Sequence, residues 1–387
     1  MKKALLFVAP LYLAAALMAP SCALAWSPPL QMELRVPFDP TAFPSGGRTF
    51  LMYELYLTNF SGGVIDLRRI EVLDADEPAG KPLTTFEGEQ IDALLRSTEA
   101  QLSTNKSNNL RQVDANATLV VFMQVAFDTQ ARVPNRLRHR VVTADSSLEG
   151  AVVETHHTEL KVLAPPVRGA VWHAYDGPSN DRENHHRRGL FLVEGRTSIS
   201  RRYATDWFLI KDGDHFREEA RDGRSNYSRD RRAYYSYGQP VLAVASGTVV
   251  TARDGMPENV SGPPDDFQRA VAITLETAPG NMVVLDLGGG QFAHYFHLQP
   301  GSLRVKTGDR VQSGEVLARI GLSGDPNIPH LHFEVTTSAK PLAGEGVPYV
   351  IDQFRVKTAD DIWQTYTREL PIRNMLVDFG QIDRNAN

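Results

Sequence analysis

Short runs of β-forming residues, each ended by Gly, Pro, Asn or Asp, recur along almost the whole chain and point to antiparallel sheet. The longest in the first half is 49–58 (TFLMYELYLT), with others at 31–36, 66–73, 118–127, 137–143 and 151–163. One amphipathic helix is expected at 89–97, where Ile91, Leu94 and Leu95 keep helical spacing. From residue 240 the runs become dense, at 240–245, 247–252, 270–275, 282–287, 291–296, 316–320 and 330–336. Glycine stands at nearly every junction there, as in a tightly turned sheet or roll. Pro165 and Pro166 divide the chain, because paired prolines end strand pairing and stiffen a linker. The reading is a mainly β protein. An antiparallel, immunoglobulin-like β-sandwich is expected over 26–165, a second β domain over 166–345, and an extension over 346–387 packed on that domain. The extension holds an amphipathic stretch at 359–367 and a strand at 375–379.

Of 387 residues, 42% are hydrophobic and 22% charged, enough to bury a core across two domains. With 41 basic against 46 acidic residues the formal charge is −5, which argues against a nucleic-acid binder that grips phosphates. Residues 1–25 read as an export signal: Lys2 and Lys3 precede an apolar run at 4–18, and Ala23-Leu24-Ala25 gives the small-x-small cleavage pattern. The apolar run is too short to span a bilayer. The expected location is therefore periplasmic or secreted, with no membrane span after cleavage. The sole cysteine, Cys22, would leave with that segment, so any metal must be held by histidine and carboxylate.

The chemistry concentrates in the second half. In His330-Leu331-His332-Phe333-Glu334, residues two apart on a strand share a face, so two imidazoles and a carboxylate point one way. That spacing suits a metal site. His297 follows a glycine-rich turn at 288–290, and Asp206 lies in Tyr203-Ala204-Thr205-Asp206-Trp207 among apolar neighbours, where a carboxylate needs a partner. No chemical motif is found in the first half; His156 and His157 are adjacent on a strand and face opposite ways.

These residues stand in stretches that resemble, in order, the lysostaphin-type (LytM-like) zinc metallopeptidases with the duplicated hybrid motif fold, which cut peptidoglycan peptides. The stretches are GQPVLAVASGTVVTA (238–252), GNMVVLDLGGGQFAHYFHLQPGS (280–302), VKTGDRVQSGEVLARIGLSG (305–324) and the closing PHLHFEV. The resemblance implies a grooved antiparallel β-roll over 166–345, Asp206 and His332 as zinc ligands, and His297 and His330 as catalytic histidines. It implies peptidoglycan stem peptides or cross-links as substrate and Zn2+ as cofactor. One position departs: four residues before Asp206, where the family has its first ligand histidine, stands Arg202, which cannot ligate zinc. His185 or His186, in a mobile-looking polar loop, are the preferred replacements; His215, His294 and Glu334 are others, with His294 expected on the wrong strand face. Arg202 could instead pair with Asp206 or bind a substrate carboxylate.

Two readings stand on these residues. One is a zinc metalloendopeptidase of the cell wall. The other is a degenerate, non-catalytic member that binds peptidoglycan or regulates a cell-wall hydrolase. The first half would either steady the second or meet another cell-envelope protein. Residues 305–321 also carry a pattern seen in biotinyl and lipoyl carriers, but Lys306 lacks the context of a modified lysine.

Overall fold

The computed structural model describes residues 29–77, 79–97, 111–128, 131–169, 171–181, 183–217 and 227–380. The expected export segment at 1–25, with Cys22, lies outside them. Among the described residues strands take up 46% and helices 5%, so the protein is mainly β.

The first half is two five-stranded sheets. One runs Met32–Arg35, Arg48–Asn59, Thr118–Asp128, Leu95–Ser97, with Phe43–Ser45 also on Arg48–Asn59. The other runs Ser147–Glu154, Arg136–Thr143, Ile65–Asp74, Thr84–Glu87, with Gln112–Val113 on Ile65–Asp74. Leu51, Tyr53, Leu55 and Leu57 meet Leu67, Ile70, Val72 and Val141 in one core, as alternation along strands requires. The opposite face of the same strand is also covered. Phe50 and Met52 join the core of the second half. Tyr56, with Val120 and Phe122 from the neighbouring strand, packs on Leu190 and Ile199. Burial on both faces explains why 49–58 reads as a continuous apolar run.

The second half is built on an eleven-stranded sheet. Its order is Lys161–Leu163, Tyr349–Lys357, Met375–Asp378, Trp172–Tyr175, Thr205–Leu209, Leu331–Thr336, Phe292–Leu298, Asn281–Asp286, Gly247–Arg253, Arg310–Val311, with Trp363–Glu369 on Tyr349–Lys357. The strands after residue 346 therefore extend this same sheet. Trp172, Trp207, Tyr295, Phe333 and Tyr349 fill its core together with Val241 and Leu317 from the two-stranded sheet Pro240–Leu242 and Val316–Arg319.

Three local expectations change. The helix covers only Glu89–Leu94, because Leu95–Ser97 turns extended and pairs with Thr118–Asp128. Residues 270–275 form turns rather than a strand: Thr277 Oγ1 receives the Thr274 amide and donates to the Ala272 carbonyl, competing with ladder bonds. The amphipathic 359–367 stretch is largely strand, since Trp363–Glu369 folds back on Tyr349–Lys357 as a hairpin. No helix among the described residues is long and apolar enough to cross a membrane.

Candidate metal centre and groove

Cross-strand register assembles the centre. Tyr175 lies opposite Asp206, Asp206 opposite His332, and His332 opposite Phe296, so one row of four side chains crosses the sheet on a single face. Trp207 and Leu331, one residue along, point into the core on the other face. His330, just before strand Leu331–Thr336, comes within 3.4 Å of Asp206 Oδ1 through its Nε2.

The third member of the cluster arrives from a loop. His186 opens the short 3₁₀ turn His186–Arg188 and brings Nε2 to 3.3 Å from Asp206 Oδ1, its ring 4.8 Å from that of His332. His186, Asp206 and His332 offer ligand atoms all within 4.8 Å of one another. Buried Asn184 shapes this turn. Its Nδ2 donates to the carbonyls of Asp176 and Gly177, and its Oδ1 accepts the amides of His186 and Arg187. His185 points elsewhere: its Nδ1 bonds Asp176 Oδ2 at 2.7 Å and its side chain is 60% exposed.

The hydrogen bonds show which nitrogen of each ring is turned to Asp206. His186 Nδ1 lies 2.8 Å from the Asp176 carbonyl, which can only accept, so this nitrogen carries a proton and Nε2 is the nitrogen turned to Asp206. His332 places Nε2 3.3 Å from Glu334 Oε2 and Nδ1 2.9 Å from Asp206 Oδ1. Both His332 nitrogens thus face carboxylate oxygens; where Nε2–H donates to Glu334, Nδ1 is the lone pair left toward Asp206. Two imidazoles and a carboxylate converging in a buried spot make a donor set that suits a metal cation. Burial alone would raise Asp206, but the adjacent His330 and His186 hold it well below the usual carboxylate range. Burial would likewise lower His332, yet its bonds to Asp206 and Glu334 raise it.

His297 and His330 flank the cluster, ring centroids 5.0 Å apart. His297 sits at φ 64°, which breaks the alternation of Phe292–Leu298 at its end. Its Nδ1–H donates to the Ser323 carbonyl at 3.1 Å, and His330 Nδ1–H donates to the Ile328 carbonyl at 2.9 Å. Burial, then the neighbouring His330 and His332, hold His297 well below the ordinary histidine range. A groove of about 520 Å³ runs over these residues, walled by Tyr175, Phe208, Tyr227, Tyr234 and Phe267.

Other candidates fall outside the cluster. Arg202 does not reach the groove or Asp206. It is 5% exposed, pairs with Glu54 at 2.8 Å, and donates to the carbonyls of Ser179 and Met123, so the expected carboxylate-binding role is corrected. His215 stacks on His173 and Phe208. His294 is opposite Glu334 and on the same face as His332, not the far face expected, because the left-handed backbone at His297 is what departs from alternation. Its Nε2 bonds the Ser338 carbonyl, and it stays behind the cluster. The sequence did not single out Arg201, which lines the groove beside the histidines.

Residues 232–343 match the model of peptidase family M23. The matched segment carries His297, His330 and His332; Asp206 and His186 lie upstream of it. Among solved structures, the chain is similar to the catalytic domain of lysostaphin from Staphylococcus simulans, at 21% identity over 38% of this chain and 71% of that one, TM-score 0.21. It is similar also to the catalytic domain of the prophage-encoded M23 protein EnpA from Enterococcus faecalis, at 20% identity over 35% and 84%, TM-score 0.21. A zinc-containing peptidase from Vibrio cholerae shares 13% identity over 80% and 83%, TM-score 0.24. A search of curated proteins gave no match.

Proposed function

We propose that the protein is an exported zinc metalloendopeptidase that cleaves peptide bonds in peptidoglycan stem peptides or cross-links. The observation that carries this reading is the convergence of His186 Nε2, Asp206 Oδ1 and His332 Nδ1, beside two further histidines in a groove. In this reading those three groups hold zinc. A zinc ion there would polarise a peptide carbonyl and lower the pKa of water toward neutrality. His297 and His330 each keep Nδ1–H tied to a backbone carbonyl, so each presents Nε2 as a proton acceptor. One takes the proton of the attacking water at Nε2; the imidazolium then gives it to the departing amine. The aromatic walls position the peptide and exclude bulk water. Glu334 holds His332 by accepting from its Nε2, and so keeps Nδ1 pointed at the metal.

The non-catalytic alternative rested on the lost ligand at Arg202, and His186 removes that ground. Export is supported by the basic, apolar and small-x-small order of residues 1–25. The test is cleavage of purified muropeptides by the full chain. New amino groups are expected with zinc and none after chelation, and His330→Ala should cut kcat by about a hundredfold or more while zinc stays bound. A zinc-loaded protein that opens no bond in any peptidoglycan peptide would contradict the reading.

A further inference from the structure

Arg201 has a charge that no direct ion pair meets, although the buried Glu334 carboxylate feels it at longer range. The 3₁₀ turn Ser200–Tyr203 sends its two arginines in opposite directions: Arg202 into the first half, where Glu54 neutralises it, and Arg201 toward the groove. Among the described residues Arg201 makes no ion pair and no side-chain hydrogen bond, and its Nε is buried without a partner. A buried guanidinium NH left unmatched is costly, so a fold that keeps one is set up to receive an acceptor from outside.

The side chain is held in place rather than loose. Its guanidinium lies 5.3 Å from the centroid of the Phe191 ring. A Cβ at Gly189 would stand 3.2 Å from Arg201 Cδ and 3.3 Å from the Phe191 ring, so the loop closes on the stem with only a glycine's clearance. Immobilised donors lose little entropy on binding an anion. The other arginine of the groove, Arg269, is already paired with Asp325.

Resting on the peptidase reading, we infer that Arg201 binds a carboxylate of the peptide lying in the groove, so that the site selects peptides with a free carboxylate near the bond cut. A planar guanidinium offers a carboxylate two parallel donors, and a stem peptide has two candidates: a side-branch carboxylate and its C-terminus. The groove's hydrophobic walls strengthen the pair by keeping water out.

The test uses the full zinc-loaded chain and one synthetic stem peptide in three forms: both carboxylates free, the branch carboxylate amidated, or the C-terminus amidated. Competition binding against a labelled free-carboxylate peptide reads affinity, and product release reads kcat/KM. The wild type is expected to lose about tenfold on one amidated form, which identifies the carboxylate; Arg201→Gln should bind all three forms alike, at the weaker level, and Arg201→Lys should recover part of the preference. A wild type that does not distinguish the three forms overturns the Arg201 assignment while cleavage of all three leaves the peptidase reading intact. The same holds if Arg201→Gln keeps the full preference. Failure of all three forms to bind and to be cut overturns both.

Discussion

Arg202 and His186 exchange the roles their positions in the sequence suggest. Arg202 stands where a ligand histidine is expected but spends its donors on Glu54, Ser179, Met123 and Asn180. His186 instead brings an imidazole to Asp206 from a loop. His330 and His332 were legible because spacing on a strand fixes which face a side chain takes, whereas Asp206 and His297 were singled out by the family resemblance of their stretches. The choice between His185 and His186 was not, because it depends on Asn184 and Asp176 bonding the turn from outside its own few residues. Glu334 was legible only as a spare ligand; the structure places it behind His332 instead. Burial would raise its pKa, but the His332 bond holds it down as a carboxylate. Glu334→Gln should weaken zinc affinity about 10- to 100-fold in a chelator competition titration, with the folded circular dichroism spectrum retained. Unchanged affinity would leave Glu334 as a packing residue only.

At the scale of elements, the strands that build the metal row were readable as β runs, while the loops that finish the site were not. Alternation places Asp206 and His332 on one face with Trp207 and Leu331 on the other, so the sequence pattern and the register agree. The turns at 270–275 misled because threonine has strand propensity yet its hydroxyl here serves the backbone. Strand Arg136–Thr143 carries a further titratable group, His139, fully buried between the Tyr53 hydroxyl at 2.7 Å and the Ala151 carbonyl at 2.8 Å. Burial pushes its pKa down from 6.5 to about 4, against smaller opposing backbone bonds. The folded protein therefore favours the neutral ring. Stability from this group is complete above pH 6.5 and falls as pH drops toward 4, by about 3 kcal/mol in all. Urea midpoints measured across pH 7 to 4 should decline steeply, and less so in His139→Gln; parallel curves would show that His139 does not contribute.

For the whole molecule, the two halves share buried surface rather than meeting at a loose linker. Glu54 and Arg202 form a buried pair across the boundary, and the Tyr203 hydroxyl donates to the Met52 carbonyl at 2.6 Å. Phe122 of the first half lies beneath both Arg187 and Arg202, and its carbonyl accepts from Asn180, in the loop leading to His186. The first half thus contacts the loop that brings His186 to the cluster. Pro165 and Pro166 marked a boundary in sequence, but no short-range pattern could reveal pairing between residues so far apart in the chain. Glu54→Ala should cost about 3–5 kcal/mol by chemical denaturation, because it strands a buried guanidinium. A fragment beginning at residue 166 should be insoluble or bind zinc weakly for the same reason. A soluble fragment with full zinc affinity would show that the second half is self-sufficient.

Zinc content of the purified full chain, by mass spectrometry of the metal, tests the centre most directly. About one equivalent is expected in the wild type and in His185→Ala, falling to near zero in His186→Ala and His332→Ala under the same wash. Full zinc retention in His186→Ala, or its loss in His185→Ala instead, would contradict the assignment of His186 as the ligand that replaces the histidine missing at Arg202.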